Sequence, residues 1–388
     1  MLQQFRFTNA DAHDHHSHGG DLDEASTAML RRVIQKIGQT SVNTTLLPDL
    51  EALLDDRHDG EDHDHSHCDA RRLALDWLAN EDAAASHMPA DEYDRALLQR
   101  YALSTAYFAT GGEGWTVCSR KVESECESDG ARWLSPSSHC AWDGINCKGG
   151  KLSWFDLSDH GLVSESYLPL EMTLLSPTLE LLWTSDNPKL GGALPAWIGE
   201  FQSLLSLGAY NTSLSGLVPD SLYTMTKLNS LRLYKSEFEG SISPEIGNLK
   251  ELKWLWIHDN HFEDILPDEI GQLTKLEGIT LHGNGFAYAV SESSQDEVED
   301  EGEDESKDFK NASEQLVDII PSPVCDLLHR GLKHLWTDCE KDSLVPNLKK
   351  KFDEKQPDFV VKAGKRACSC CTKCFPTEKR KRQQVAIS

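Results

Sequence analysis

The sequence lacks any long run of apolar residues. Its first residues, MLQQFRFTNADAHDHH, contain no apolar stretch of the kind that forms a signal peptide. No other part of the chain offers the roughly 18 uncharged apolar residues that a membrane-spanning helix requires. We therefore expect neither a signal peptide nor a membrane span in this sequence. Three interpretations stay open: the protein remains inside the cell, its targeting segment is not part of this sequence, or it is exported by a route without such a segment.

Positive charge is scarce relative to negative charge. The 388 residues include 64 Asp and Glu against 38 Lys and Arg, which gives a net charge of −26. Because a surface with this excess repels phosphate groups, the composition argues against nucleic acid as a partner. It favours solubility and basic or cationic partners.

Cysteine is absent from the middle of the chain. Of the 11 cysteines, five lie at or before Cys147 and six at or after Cys325, with none between them. Cysteines grouped on both sides of such a segment indicate two disulfide-stapled ends, and disulfides persist in oxidising compartments. This grouping favours the cell surface or the extracellular space, whereas the missing targeting segment favours the cytoplasm.

A repeated phrase fills much of the cysteine-free segment. Leu228, Leu252 and Leu276 each begin the pattern L-x-x-L-x-L, 24 residues apart. Earlier copies begin at Leu204 and Leu179, and a degenerate first copy begins at Leu152. A phrase of this kind and length is the signature of a leucine-rich repeat, in which each copy adds one turn to a solenoid. The sequence predicts an α/β solenoid of about six 24-residue repeats.

Each phrase alternates residues that face the core with residues that face solvent. Positions one, four and six carry the core leucines, and the L-x-L part should form a short strand. Proline in the phrases that follow, such as ALPAWIGE and ILPDEIGQ, suits a return segment and not a central strand. Position nine holds Asn187, Asn260 and Asn284, whose amides should donate to carbonyls of adjacent turns.

Positions three, five, seven and eight should face outward on the concave side. Six stacked strands about 4.8 Å apart form a floor roughly 25–30 Å long. Tryptophan and tyrosine are over-represented at binding hot spots, although aromatic side chains also suit strands and cover one another. We expect this floor to bind a ligand, with Arg232 and Lys235 receiving an anionic or carboxylate group. The candidate ligand-binding residues are Trp183, Tyr210, Arg232, Tyr234, Lys235, Trp254, Trp256 and His258.

The segment before the repeats resembles a known domain. The phrase SHCAWDGINC resembles the C-x-W-x-G-x-x-C signature of the plant-type leucine-rich repeat N-terminal domain. The upstream ALSTAYFATGGEGW looks like the helix and Gly-Trp turn of that domain. The later PSPVC and CSCCTKC phrases are similar to those of leucine-rich repeat proteins of diatoms and related algae. The resemblance implies a right-handed solenoid that recognises its ligand on the concave or lateral face.

The resemblance also implies how the two ends are closed. It suggests a disulfide between Cys140 and Cys147 in a helical N-terminal cap, and Cys118 with Cys126 stays as a local alternative. A disulfide between Cys325 and Cys339 would close the C-terminal cap.

Composition and motifs divide the chain into six segments. The predicted organisation is a disordered, acidic, histidine-rich arm (1–70), a helical N-terminal cap (71–150), the repeats (151–290), an acidic disordered insertion (291–310), a C-terminal cap (311–345), and a charged linker with a cysteine cluster and a basic tail (346–388).

No arrangement typical of an enzyme is found. The chain has no H-R-D or D-F-G phrase and no glycine-rich loop of a protein kinase. His258, Asp259 and His261 lie close in sequence, but no serine or cysteine nucleophile is placed with them. We expect no catalytic residue and no cofactor.

The histidine-rich arm and the 368–374 cysteine cluster contain residue types that bind metals. The arm is equally compatible with a solvated segment, and the cluster with disulfides or lipid modification. Neither predicts a ligand geometry, so we assign no metal site. Glycosylation sequons occur at Asn43, Asn211 and Asn311, and a glycan on Asn211 would partly block the floor.

These features predict a non-catalytic, receptor-like protein without a kinase domain. It would bind a protein, peptide or glycan on the concave face and act with a membrane-bound co-receptor. The alternative is an intracellular leucine-rich repeat scaffold for protein–protein interaction.

Overall fold

The computed structural model describes residues 22–39, 46–54, 65–84, 89–121, 126, 130–286, 320, 322–339 and 373–376. Helices precede the repeats: α1 (Glu24–Gly38), α2 (Leu47–Ala52), α3 (His65–Asp76), which continues into a π-helical turn (Trp77–Glu81), and α4 (Ala90–Ala109). Gly111 follows α4 with a φ of 68°, the left-handed conformation that glycine favours. No helix in these ranges is both long enough and apolar enough to cross a membrane.

The first two helices pack onto the N-terminal cap. Leu30, Val33 and Ile37 of α1 are fully buried, and α1 contacts both α3 and α4. The predicted disordered arm over residues 1–70 is therefore wrong for α1 and α2. The apolar face of α1 is expected from its helical spacing, but the partner that covers it lies some 40 residues further along the chain. The histidines up to His63 lie outside the described residues.

The repeats build a nine-stranded sheet along one side of the solenoid. The order is β1-β2-β4-β6-β8-β10-β12-β13-β14, parallel except for the β1–β2 pair. Trp254 pairs with Ser230 on one side and Gly278 on the other, so equal phrase positions lie side by side. The strands of this sheet are β1 (Ile145–Lys148), β2 (Lys151–Asp156), β4 (Leu181–Trp183), β6 (Ser206–Gly208), β8 (Ser230–Arg232), β10 (Trp254–Trp256), β12 (Gly278–Thr280), β13 (His334–Cys339) and β14 (Lys373–Pro376).

A second sheet of five strands runs beside the first. Its strands are β3 (Val163–Ser164), β5 (Lys189–Ala193), β7 (Ser213–Gly216), β9 (Glu237–Gly240) and β11 (His261–Phe262). The proline-containing phrases form 3-10 helices on the return path, as at Ala196–Glu200, Asp220–Thr224, Pro244–Asn248 and Asp268–Gln272. This confirms the prediction that they are not central strands.

Asparagines inside the turns tie one repeat to the next. Asn187 Nδ2 donates to the carbonyl oxygens of Leu157 at 2.8 Å and Thr184 at 2.9 Å. Asn260 and Asn284 make the equivalent bonds in later repeats. The predicted ladder is thus confirmed at these positions.

A column of phenylalanines also crosses the turns. The rings of Phe238 and Phe262 stack with centroids 6.3 Å apart and planes 2° apart. Phe262 and Phe286 repeat the arrangement at 6.3 Å and 6°. Each ring covers the next, so the column links three consecutive repeats through one kind of contact.

The N-terminal cap has an aromatic core around a buried ion pair. Trp133 packs against Tyr107, Trp115 and Trp142 with centroid distances of 6.1, 5.1 and 5.3 Å. Arg100 and Asp82, both fully buried side chains, pair at 2.6 Å within the same cap. The cap therefore closes the open end of the repeat core.

Both disulfides considered for the N-terminal cap are present. Cys140 bonds to Cys147, and Cys118 bonds to Cys126. Gly144, between the first two, has a φ of 74°, and a Cβ there would lie 2.0 Å from the carbonyl oxygen of Asp156. The glycine of the motif is therefore required by close backbone approach.

The C-terminal cap adds strand β13 to the large sheet, where Gly278 pairs with His334. Its helix α5 (Ser322–Asp326) packs on the 3-10 helix Asp268–Gln272. Cys325 forms a disulfide, whereas the side chain of its predicted partner, Cys339, lies outside the described residues. The predicted insertion at 291–310 also lies outside them.

Acidification is expected to weaken the N-terminal cap through His139. Burial, with a smaller contribution from Arg100, lowers the pKa of His139 from 6.5 to about 4. Because the unfolded chain binds this proton more readily, the free energy of unfolding is highest above pH 6.5 and decreases as the pH falls toward 4. The full loss corresponds to about 3 kcal/mol.

Urea unfolding at a series of pH values checks this prediction. His139→Gln should flatten the dependence of the unfolding free energy on pH in that interval. Equal slopes for wild type and His139→Gln would contradict the prediction.

Candidate functional site

The concave face is the outward side of the large sheet from β2 to β13. Trp183, Arg232 and Trp256 occupy phrase position five of β4, β8 and β10. Tyr210, Tyr234 and His258 occupy position seven, two residues beyond the ends of β6, β8 and β10. The alternation of the phrase is therefore sufficient to bring these side chains to one surface.

The residues at position seven form a continuous ring stack, which we call the concave stack: Tyr210, Tyr234, His258 and His282. Successive ring centroids are 4.3, 4.4 and 4.5 Å apart, and the planes differ by 8°, 9° and 20°. These spacings follow from strands that lie about 4.8 Å apart with one ring per strand. The edges of the stacked rings form a flat, ordered surface along the floor.

Burial sets the charge state within the concave stack. Burial of the ring and the neighbouring hydroxyl of Tyr210 raise the pKa of Tyr234. Burial also lowers the pKa of His258 to about 4. His258 Nδ1 lies 2.8 Å from Thr280 Oγ1, which fixes the orientation of the ring. At neutral pH, both side chains are therefore uncharged.

Arg232 lies between two tryptophan rings. Its guanidinium carbon is 5.1 Å from the ring centroid of Trp183 and 4.5 Å from that of Trp256. Trp183 lies over Gly208, where a Cβ would come within 2.9 Å of the ring. The missing side chain on β6 thus makes room for a cation–π sandwich that spans four strands.

The sandwich leaves the outer part of the guanidinium available. Arg232 Nε donates to Ser230 Oγ at 3.2 Å. Within the described part of the chain, its two terminal nitrogens make no hydrogen bond and no ion pair. A planar guanidinium held in this way matches a carboxylate or phosphate, which it can bind through two parallel hydrogen bonds.

Trp254 lies nearer the C-terminal end of the floor. Its ring is 6.0 Å from that of Trp256 and 6.4 Å from that of His334. It covers Gly278, where a Cβ would lie 2.7 Å from the ring. Trp183, Trp254 and Trp256 are half-buried. Trp183 and Trp256 contact Arg232, and Trp254 contacts Trp256.

Lys235 lies apart from the sandwich, exposed at the end of its phrase with a φ of 54°. Every repeat places a left-handed residue at this position, and the others are Asp159, Asp186, Asn211, Asp259 and Gly283. Lys235 is the only cation in that series. The structure places it on the same repeat as Arg232, as the sequence predicts.

Asn211 is exposed at the same rim and donates to Asp186 Oδ1 at 2.9 Å. Its glycosylation stays a prediction, and Asn43 and Asn311 lie outside the described residues.

Two residues of the concave face, His334 and Trp336, were missed by sequence reasoning. Strand β13 brings both onto the floor, where Trp336 pairs with Thr280. The signal was present in LKHLWTDC, whose Leu332 and Leu335 keep the spacing of phrase positions one and four. His282 has position seven of its phrase, and only its neighbour His258 was chosen.

A cavity of about 350 Å³ lies where the strands begin, away from these residues. It is lined by Lys148, Lys151, Lys227 and Glu180, among others, and by none of the predicted ligand-binding residues.

Comparison with known proteins identifies the repeat. The model of the family described as Leucine Rich Repeat matches residues 251–273, which contain Trp254 and Trp256. No curated protein matches the chain. Together with the strand and turn geometry, this match confirms the predicted leucine-rich repeat fold.

Several solved plant structures are similar to part of the chain. One is the plant peptide hormone receptor RGFR1 in complex with RGF2, with 27% identity over 32% of this chain and 20% of the receptor chain, and a TM-score of 0.31. A second is the BIR3–SERK2 complex from Arabidopsis thaliana, with 27% identity, 39% and 79% coverage, and a TM-score of 0.35. A third is a plant ice-binding protein, with 26% identity, 51% and 57% coverage, and a TM-score of 0.40. The chain spans only about a fifth of the receptor in the first structure.

Proposed function

We propose that the protein is a non-catalytic, receptor-like recognition protein whose concave face binds a protein, peptide or glycan ligand that carries an acidic group. The arginine sandwich is the observation that supports this proposal most directly. Arg232 is oriented by Trp183 and Trp256, and its terminal nitrogens remain available toward solvent. A ligand carboxylate can bind there without first ordering the guanidinium, which lowers the entropic cost of association.

The surroundings of Arg232 fit a peptide ligand well. Flat aromatic surfaces lie on both sides of it, in the concave stack and at Trp254. Aromatic side chains of this kind provide contact area with little loss of conformational freedom. A peptide ligand and a membrane-bound co-receptor are proposed as partners; the first similar structure described above is that of a peptide hormone receptor in complex with RGF2.

The two cap disulfides support exposure to an oxidising compartment. We therefore propose that the concave face meets its ligand outside the cytosol.

A peptide-display selection against the full-length chain tests the proposal. The library presents free C-terminal carboxylates, and each selected peptide is remade with an amidated C-terminus. Selected peptides should bind wild type and lose at least about 30-fold in affinity for Arg232→Gln, because a central desolvated charge contributes roughly 2 kcal/mol or more. Amidation should weaken wild-type binding and have little further effect on Arg232→Gln.

Two further variants serve as test and control. Trp254→Ala combined with Trp256→Ala should abolish capture while leaving the melting temperature within a few degrees of wild type, since both rings are half-buried. Lys275→Gln, which removes an exposed cation away from the floor, should change nothing. If the peptides bind Arg232→Gln and the double variant as tightly as wild type, the concave face is not the binding site.

A further inference from the structure

Three potential metal ligands meet on the concave face. They are His258 and Asp259 from one repeat and His282 from the next. One ligand atom from each lies within 4.8 Å of the others. The two histidines are half-buried, and Asp259 is exposed at the rim.

The repeat geometry explains this meeting. His258 and His282 share phrase position seven, so their imidazoles stack with centroids 4.5 Å apart. Their planes differ by 20°, whereas the other pairs of the concave stack differ by 8° and 9°. The histidine pair is therefore the least parallel step of the stack.

Glycine makes room for the carboxylate. Asp259 leaves its strand in the left-handed conformation, with a φ of 54°. A Cβ on Gly283, the equivalent residue of the next repeat, would lie 2.2 Å from Asp259 Oδ1. A larger residue at Gly283 would thus displace the carboxylate that lies beside His282.

A hydroxyl group holds the first histidine. Thr280 Oγ1 lies 2.8 Å from His258 Nδ1, and this hydrogen bond orients the ring. With Nδ1 engaged in this way, Nε2 is the ring nitrogen that can bind a metal ion.

We propose that His258, Asp259 and His282 form a binding site for a divalent late transition-metal ion such as Zn²⁺. Two imidazoles and one carboxylate are ligands that zinc, copper and nickel accept. Zn–N distances of 2.0–2.1 Å place tetrahedral ligand atoms roughly 3.4 Å apart. Side-chain rotations that shorten these separations by up to about 1.4 Å would bring the three groups to that geometry.

Three protein ligands leave at least one coordination position open. In structural zinc sites four protein ligands close the coordination sphere, whereas an open position takes water or a ligand group. The open position of this site would be available to a ligand group on the concave face. Ion binding by the chain alone does not depend on the proposed function, so the two proposals can fail separately.

Calorimetric titration of the full-length chain with Zn²⁺ tests the site. The variants are His282→Gln and Asp259→Asn, which preserve side-chain size, and the control is His261→Gln. His261 is exposed in the same repeat and lies outside the cluster. The histidines before residue 70 contribute the same background to every protein compared.

Wild type and His261→Gln should bind one Zn²⁺ that His282→Gln binds at least about 10-fold more weakly, with Asp259→Asn weakened in the same direction. Zn²⁺ should also raise the melting temperature of wild type and His261→Gln more than that of His282→Gln, because ions held by the folded site stabilise it. Identical isotherms and identical melting shifts for all four proteins would overturn the proposal and assign zinc binding to histidines elsewhere.

Discussion

Replacing Asp82 with asparagine is expected to lower the free energy of unfolding by about 3–5 kcal/mol. Asp82 receives two hydrogen bonds from Arg100, at 2.7 and 2.6 Å, and both side chains are fully buried. The guanidinium carbon also lies 5.2 Å from the ring centroid of Trp77 and 4.8 Å from that of Trp142. Asparagine would leave this cation without a counter-charge in a site that water does not reach.

The loss of stability should be large because Asp82 accepts hydrogen bonds from several parts of the cap. Its carboxylate also accepts from the Tyr93 hydroxyl at 3.1 Å and from the backbone N–H of Ala84 at 3.0 Å. Arg100 in turn donates to the carbonyl oxygen of Ser137 at 3.2 Å. The buried pair therefore joins helix α4 to the segment that precedes Cys140.

Urea unfolding followed by tryptophan fluorescence measures this loss. Glu251→Gln is the matched control, because it breaks an exposed pair with Lys275 and should cost less than about 1 kcal/mol. Adding Arg100→Met to Asp82→Asn should recover part of the stability by removing the unpaired charge. A cost below 1 kcal/mol for Asp82→Asn, or a double variant less stable than either single one, would contradict this account.

Phe262→Ala is expected to cost about 3–5 kcal/mol, the range measured for large aromatic residues removed from protein cores. Phe262 is fully buried and is the middle ring of the phenylalanine column. Its loss removes contacts with Phe238 and Phe286 at the same time. Because each repeat contacts only its neighbours, the damage should concentrate in adjacent turns.

Hydrogen exchange distinguishes this local effect from general unfolding. Amides of β10 to β12 should lose protection in Phe262→Ala, whereas those of α4 should keep it. Phe262→Leu should cost less than about half as much, and the exposed Ile265→Ala should have little effect. Equal loss of protection in α4 and in β10 would show that the array unfolds as one unit.

The repeat could be predicted closely because the residues that define it lie near one another in sequence. Leucine spacing, the inward asparagines and the proline-containing returns all lie within one 24-residue phrase, and the structure uses each as the sequence indicates. The packing of α1 could not be predicted in this way. Its buried face shows in the spacing of Leu30, Val33 and Ile37, but its docking on α3 and α4 depends on contacts distant in sequence.

The candidate site was predictable as a surface but not as a set of contacts. Alternation along the strand placed Trp183, Arg232 and Trp256 on one face. The cation–π sandwich among them depends on the space left by Gly208 and on side-chain rotamers, which no periodicity encodes. The contact between His258 and His282 could not be predicted from motif spacing for a related reason, since the two residues lie 24 positions apart in sequence and meet only through the stacking of the turns.

An elongated ligand could bind a periodic array in several alignments, because a shift by one strand presents nearly the same backbone. Arg232 and Lys235 distinguish one alignment from the others. They belong to one repeat, and no other repeat carries a lysine or arginine at phrase positions three, five, seven or eight. A bound molecule with a single negative charge would therefore have one favoured alignment along the superhelix. Moving it by one turn toward the C-terminus would set that charge beside Asp259, and moving it by two turns the other way would set it beside Asp186.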